Sequence, residues 1–181
     1  DANSGIPSWT KSDSFFMEHL NKIQIETGAD GTGNILSLSN FDHCVSLYGG
    51  QMHLLTADGG FDFTVAFNDQ EHIMIPLIFA QVAYAISLQQ SGGAFVLKIF
   101  DCFSQAMVDI LYLLASCYAE VSIVKPLTSR LGNSERYVVC KGFYVENRME
   151  MILSLRKVLG DCIQQTTDST TVVVGRILNM A

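Results

Sequence analysis

GGAFVLKIF, residues 92–100, is a short apolar run that contains a single charged side chain, Lys98. An apolar run of this length predicts a strand, here over residues 94–100, in a sheet that is covered on both faces. A charged ammonium inside such a strand is costly unless it has a partner or gives up its proton. A lysine in that position can act as a general base. Alternatively, Lys98 lies at the end of the strand and its amine reaches solvent.

The segments on either side of this run alternate between strand and helix patterns. We predict further strands at 52–57, 121–124 and 136–140. We predict helices at 12–23, 40–47, 68–89, 104–117 and 147–159. This order predicts an α/β domain. The last two strands lack a helix between them and should therefore form an antiparallel hairpin at one side.

The composition is that of one globular domain. The chain has 181 residues, of which 49% are hydrophobic and only 16% are charged, and this excludes a disordered chain. No apolar stretch reaches the ~20 residues of a membrane span. The first residues do not resemble a signal peptide, and we interpret them as a position inside a longer protein. Because the five cysteines are scattered and the four histidines lack metal-ligand spacing, we predict buried free thiols, a reducing compartment and no metal site.

The charge is distributed unevenly along the chain. The net charge of −7 argues against indiscriminate binding of polyanions. However, residues 1–97 carry two basic and ten acidic side chains, whereas residues 98–181 carry nine basic and eight acidic ones. Any contact with nucleic acid should therefore use the second half, around Lys125, Arg130 and Arg136. An ordinary mixed surface explains the same distribution equally well.

Three ionisable residues lie in predicted strands or directly next to them. Asp58 comes directly after a strand, Lys98 lies in one, and Glu135 stands where a loop enters another. In open α/β sheets, ligands bind beyond the carboxyl ends of the parallel strands. We therefore expect Asp58 and Lys98 to share one crevice.

Three segments together resemble the FtsJ-type ribose 2′-O-methyltransferases, most closely the messenger-RNA cap enzymes of eukaryotes and large DNA viruses. These segments are LLTADGGFD at 54–62, GGAFVLKIFD at 92–101 and KPLTSRLGNSERYVVCKGF at 125–143. The resemblance implies a Rossmann-like S-adenosylmethionine-dependent methyltransferase fold, of which residues 1–160 are the C-terminal portion and 161–181 a tail. The family's first lysine and its Gly-rich cofactor loop are not found in this sequence, so we expect them elsewhere in the protein, or absent.

The family uses a Lys-Asp-Lys-Glu tetrad, and the resemblance assigns three of its members. Asp58 is its aspartate, Lys98 its second lysine and Glu135 its glutamate. A ribose hydroxyl becomes a good nucleophile once a base takes its proton, and this is the role implied for Lys98. Asp58 and Glu135 would hold the amine in place and adjust its basicity.

The resemblance also implies residues that bind cofactor and substrate. The turn DGTGNI at 30–35 resembles the segment that lines the adenosine of the cofactor, with Asn34 where the cap enzymes often have Asp. The implied cofactor residues are Asn34, Ile35 and Asp58, and the implied RNA-binding residues are Asn68, Arg130 and Asn133. Without the resemblance, the same residues are explained by a plain turn at 30–35, a helix cap at Asn68, a solvated Arg130 and a turn residue at Asn133.

The function that follows from the resemblance is methyl transfer from S-adenosylmethionine to a ribose 2′-hydroxyl near the capped 5′ end of an mRNA. Two alternatives stay open: a ribosomal- or transfer-RNA ribose methyltransferase, and a non-catalytic scaffold of the same fold that binds RNA or a partner. The expected partners are capped RNA and a second subunit of a capping complex, with no membrane. The expected location is the nucleus for a cellular enzyme, and a cytoplasmic replication site or the virion for a viral one.

Overall fold

A computed structural model describes residues 13–19, 21–60, 70–129 and 132–168. The helices are α1 (Asp13–Glu18), α2 (Leu38–Tyr48), α3 (Gln70–Leu88), α4 (Gln105–Cys117) and α5 (Arg148–Asp168). The strands are β1 (Met52–Ala57), β2 (Gln89–Ile99), β3 (Tyr118–Val124) and β4 (Arg136–Phe143). The predicted α/β class is therefore confirmed.

The four strands form one sheet in the order β1-β2-β4-β3. Strands β1 and β2 pair in parallel, whereas β4 lies between β2 and β3 and is antiparallel to both. Strands β1, β2 and β3 therefore run in the same direction. As a result, the carboxyl ends of these three strands and the start of β4 meet at one edge of the sheet.

Helix α3 is the centre of the hydrophobic core. Its sequence is apolar on every side, which is typical of a buried helix. Residues 74–83 of α3 are all buried, and its neighbours include side chains of α2, α4, α5 and β2. The helix thus provides the surface against which the sheet and the other helices pack.

Within the described residues, strand β2 is fully buried on one face and only partly covered on the other, so the expected cover is unequal on the two faces. Phe95, Leu97 and Ile99 are at most 1% exposed. The alternating residues Val96 and Lys98 point to the other face and are half-buried. The reason is that the described helices pack against one face of the sheet. Lys98 therefore lies on the more open face.

Strand β2 also begins earlier than predicted, at Gln89, because a bulge separates its first residues from the regular part. The register against β1 moves by two residues on β1 while β2 advances by five, from Met52–Gln89 to Leu54–Ala94. Gly92 has a φ of 79°, which favours glycine. The two glycines before the apolar run therefore mark an irregularity inside the strand rather than its start.

Helix α5 ends later than predicted, at Asp168 instead of residue 159. Gly160 suggested a helix end. In the structure it lies inside the helix, where an added Cβ would approach Leu38 Cδ1 of α2 to 3.3 Å. The small residue therefore serves the contact between α5 and α2, and the helix continues into the segment that we expected to be a tail.

Several smaller expectations can be compared with the structure. The five cysteines all lie within the described residues and form no disulfide, and Cys44, Cys117, Cys140 and Cys162 are buried, as predicted. Helix α1 is shorter than the helix predicted at 12–23, and the expected cap at Ser12 lies outside the described residues. In the described part of the chain, no helix has the length and apolar character needed to span a membrane.

Candidate active site

The sheet topology brings four ionisable side chains to one edge of the sheet. Asp58 follows β1, Lys98 lies near the end of β2, Lys125 follows β3, and Glu135 precedes β4. Because β1, β2 and β3 end where β4 begins, residues from distant parts of the sequence meet here. This edge is the one at which open α/β sheets bind ligands.

Lys98 and Asp58 form an ion pair across this edge. The Lys98 ammonium also donates a hydrogen bond to the main-chain oxygen of Asp58 at 3.4 Å and lies 5.7 Å from the centre of the Phe100 ring. The Lys98 side chain is 15% exposed, whereas that of Asp58 is 70% exposed. The partner carboxylate offsets the cost of enclosing the ammonium. Asp58 and Lys98 therefore lie next to each other, as expected for residues at the ends of neighbouring parallel strands.

Glu135 lies beside this pair rather than in contact with its amine. Among the described residues, no ion pair within 4 Å joins Glu135 to Lys98. Tyr137 connects the two positions: it lies opposite Lys98 in the β2–β4 register, and its hydroxyl donates to Glu135 Oε1 at 3.5 Å. Burial raises the pKa of Tyr137, and so do the carboxylates of Glu135 and Asp58, whereas the Lys98 charge lowers it.

Tyr137 is thus a site residue that sequence reasoning missed. Its phenol is close enough to feel the charges of Asp58, Lys98 and Glu135. The residues KPLTSRLGNSERYVV contain Tyr137, but only the pairing of β4 with β2 places it opposite Lys98. A correct prediction of the register between β2 and β4 would have identified Tyr137 as a neighbour of Lys98.

A cleft of about 320 Å³ opens at the carboxyl end of β1. Two of the predicted cofactor residues, Ile35 and Asp58, line it. Gln81 and Tyr84 of α3 also line it and were not predicted. The Gln81 side chain accepts a hydrogen bond from the Gly59 N–H at 2.8 Å and so holds the turn that follows Asp58. The volume falls within the range of ~300–1,000 Å³ that is usual for small-molecule sites.

Tyr84 has a buried hydroxyl with no hydrogen-bond partner among the described residues. Its ring packs edge-on against Phe41 at 5.2 Å, and burial raises the pKa of its phenol. A buried hydroxyl without a partner is unfavourable for the fold. A polar ligand in the cleft is one way to satisfy it.

We therefore expect Tyr84→Phe to raise the free energy of unfolding of the ligand-free protein by about 1 kcal/mol. Tyr118→Phe is the matched control, since the buried Tyr118 hydroxyl donates to Gln89 Oε1. In Tyr118→Phe the free energy of unfolding should fall by about 1–3 kcal/mol, because the Gln89 oxygen is left without its donor. Denaturant unfolding measures both changes, and a stability loss in Tyr84→Phe would contradict the expectation.

The turn at 30–35 is built around Asp30. Its carboxylate accepts hydrogen bonds from the Thr32 hydroxyl at 2.7 Å, the Thr32 N–H at 2.8 Å and the Asn40 amide at 2.9 Å. These bonds, led by the one from the Thr32 hydroxyl, lower the pKa of Asp30 to about 2. Asn34 Oδ1 accepts the Leu36 N–H at 3.0 Å, and Asn34 is absent from the cleft lining. Asn34 therefore shapes the turn that presents Ile35.

The predicted RNA-binding residues are only partly visible. Asn68 and Arg130 lie outside the described residues. Asn133 is described, and its side-chain oxygen accepts hydrogen bonds from the Lys125 ammonium at 3.0 Å and from the Ser129 hydroxyl at 3.3 Å. That oxygen is thus used inside the loop. In the described ranges, no three His, Cys, Asp or Glu side chains are grouped as metal ligands would be.

Comparison with known proteins gives this geometry a context. The profile of the FtsJ-like methyltransferases matches residues 13–143. The chain is 46% identical over 118 residues to cap-specific mRNA (nucleoside-2′-O-)-methyltransferase 1 of Trypanosoma brucei brucei, a match that covers 64% of this chain and 32% of the relative. It is 42% identical over 118 residues to cap-specific mRNA (nucleoside-2′-O-)-methyltransferase 2 of Drosophila melanogaster, covering 63% of this chain and 17% of that protein.

A third relative, cap-specific mRNA (nucleoside-2′-O-)-methyltransferase 1 of Danio rerio, is 44% identical over 122 residues, which cover 65% of this chain and 15% of that protein. The chain therefore spans about a third or less of the length of these curated relatives. The family match covers well over half of the chain and confirms the resemblance noted in the sequence. The chain belongs to the FtsJ-like methyltransferase family.

Proposed function

We propose that this chain is the catalytic region of an mRNA cap ribose 2′-O-methyltransferase. The observation that carries the proposal is the Lys98–Asp58 ion pair at the carboxyl edge of the sheet, in a chain of this family. The pair offers an amine and a carboxylate at one place, which suits the removal of a proton from a hydroxyl group. The names of the relatives point to the cap of mRNA as the substrate.

In the proposed mechanism, Lys98 acts as the general base. The Lys98 ammonium first releases a proton to solvent, after which Nζ accepts the proton of the ribose 2′-hydroxyl and the oxygen becomes a nucleophile. Asp58 holds this side chain in place: its carboxylate pairs with the ammonium before the proton is released, and its main-chain oxygen accepts a hydrogen bond from Nζ. Glu135 and Tyr137 add a carboxylate and a phenol beside the reacting group. Their arrangement restricts where the sugar can lie, which favours a productive alignment.

FtsJ-like methyltransferases generally depend on S-adenosylmethionine, and the cleft at the end of β1 suits part of that molecule. When bound, S-adenosylmethionine would supply a methyl group on a sulfonium sulfur, and that sulfur leaves as a neutral thioether when the methyl group is transferred. Ile35 and Phe95 offer apolar walls, and the buried Tyr84 hydroxyl offers a hydrogen bond. Asp58 lines the cleft and also contacts Lys98, so the cofactor cleft and the base adjoin. We propose that Asn34 contributes to cofactor binding indirectly, because it shapes the turn that presents Ile35 to the cleft.

For the RNA we propose contacts from Asn68, Arg130 and Asn133. Because the oxygen of the Asn133 amide is engaged within the loop, its NH₂ group is the part that would meet RNA. We further propose that residues 1–160 belong to the catalytic domain. The proposed location is the nucleus or the cytoplasm, where the protein would take part in RNA processing. The proposed partner is a second subunit of a capping complex.

The test compares substrates for the full-length protein. We expect methyl transfer from labelled S-adenosylmethionine to a capped transcript to exceed that to the same uncapped transcript by at least ~10-fold, which corresponds to about 1.4 kcal/mol of discrimination. Digestion of the product locates the methyl group on the ribose. Equal labelling of both transcripts, or labelling of ribosomal or transfer RNA alone, would favour a ribosomal- or transfer-RNA ribose methyltransferase. No labelling of any RNA, together with retained RNA binding, would favour a scaffold.

A further inference from the structure

Lys125, directly after β3, donates three hydrogen bonds to the polypeptide that leads into β4. Its Nζ lies 2.8 Å from the main-chain oxygen of Asn133, 3.0 Å from Asn133 Oδ1 and 3.1 Å from the main-chain oxygen of Glu135. An ammonium has three N–H donors. These contacts therefore match its full donor capacity.

Ser129 extends the same network to the Glu135 side chain. Its hydroxyl lies 3.3 Å from Asn133 Oδ1 and 3.4 Å from Glu135 Oε1. Glu135 is thus held twice: Lys125 binds its main-chain oxygen and Ser129 contacts its carboxylate. Because Tyr137 contacts that same carboxylate oxygen, the network reaches the phenol opposite Lys98.

From these contacts we infer that Lys125 is a positioning residue that holds Glu135 beside the Lys98–Asp58 pair. The inferred effect on catalysis rests on the proposed function. The charge distribution alone placed any contact with nucleic acid around Lys125, Arg130 and Arg136, and in such a contact Lys125 would bind phosphate. The structure instead directs its ammonium to three oxygens of its own chain, so a phosphate would have to displace these bonds.

Substitution of Lys125 by arginine distinguishes a positioning role from phosphate binding. An ammonium is compact and can place its donors on three oxygens that surround one point, whereas a guanidinium is planar and directs its donors as a fork. Both carry a positive charge and both bind phosphate. An arginine at 125 should therefore keep a phosphate contact but lose the arrangement of bonds that holds Glu135.

The experiment uses the full-length protein, a capped transcript and four forms: wild type, Lys125→Met, Lys125→Arg and Lys157→Met. We expect Lys125→Met to lower kcat ~10–100-fold, since small displacements of a catalytic group cost on that order. We expect Lys125→Arg to show a comparable loss. The salt dependence of RNA binding should stay unchanged, because no phosphate contact is removed. Lys157, an exposed lysine of α5, is the control for loss of one positive charge.

Hydrogen–deuterium exchange gives a readout that does not depend on activity. Uptake in residues 132–137 should rise in Lys125→Met and stay unchanged in Lys157→Met, because the hydrogen bonds that hold this segment are lost only in the former. Full kcat in Lys125→Arg, or a raised KM with a weaker salt dependence in Lys125→Met, would overturn the inference. If the wild type itself transfers no methyl group, the proposed function fails, and exchange alone decides: faster uptake supports the positioning role and unchanged uptake refutes it.

Discussion

Lys98→Met in the full-length protein is expected to lower kcat for methyl transfer by ~10³-fold or more, within the range of 10²–10⁴ that general bases contribute. The substitution removes the amine that would accept the hydroxyl proton and leaves a side chain of similar length. RNA binding should be largely retained, because the amine is engaged with Asp58. Single-turnover methylation of capped RNA measures the loss.

The fold should tolerate this change. Asp58 is 70% exposed, so water can solvate its carboxylate once the ammonium is gone. Lys141→Met is a matched control, since Lys141 lies on the neighbouring strand β4, is exposed, and approaches Glu120 only to 3.8 Å. Lys141→Met should keep full activity. Methyl transfer by Lys98→Met at the rate of this control would show that Lys98 is not the base.

Arg148→Met is expected to lower the free energy of unfolding by about 3 kcal/mol. The Arg148 guanidinium donates to the main-chain oxygens of Ser87 and Gln89, the latter at 2.8 Å, where α3 passes into β2. Burial lowers the pKa of Arg148, in keeping with a partly enclosed guanidinium. Without it, two oxygens at the end of the central helix lose a charged donor, and such losses are costly.

Arg156 provides a contrast on the same helix. Its guanidinium binds both carboxylate oxygens of Asp42 at 2.7 Å, but both side chains are more than 40% exposed. Exposed ion pairs contribute little, so Arg156→Met should cost no more than about 1 kcal/mol. Native-state hydrogen exchange at core amides of α3 and β2 measures both losses within the full protein. Equal losses in the two variants would contradict the importance of the Arg148 contacts.

Strands and helices, and the ionisable residues at strand ends, could be predicted because they depend on local patterns. The alternation of elements, the strand at 52–57 and the helix at 104–117 follow from hydrophobic periodicity and from signals such as Ser104, whose hydroxyl caps α4. Asp58 and Lys98 were placed in one crevice because parallel strands end at the same edge. The roles proposed for them still depend on the experiments above.

Other contacts, in the site and elsewhere in the fold, could not be predicted because the partners are distant in sequence. Gln81 meets Gly59 across 22 residues, and Arg148 meets Gln89 across 59. Tyr137 joins the site only because β4 pairs with β2 in one particular register. Charge counting placed Lys125 in the region where nucleic acid could bind, but it does not reveal the three oxygens of its own loop that bind its ammonium.

By itself, the sequence determined the order of the elements, the apolar character of α3 and the residue types available at each strand end. These features depend on neighbours a few positions apart. Tertiary structure alone decided which face of β2 is fully buried, which carboxylate meets Lys98, and whether the donors of Lys125 face the chain or solvent. The physical reason is that each of these outcomes depends on strand register and helix packing, which bring together groups that no local pattern connects.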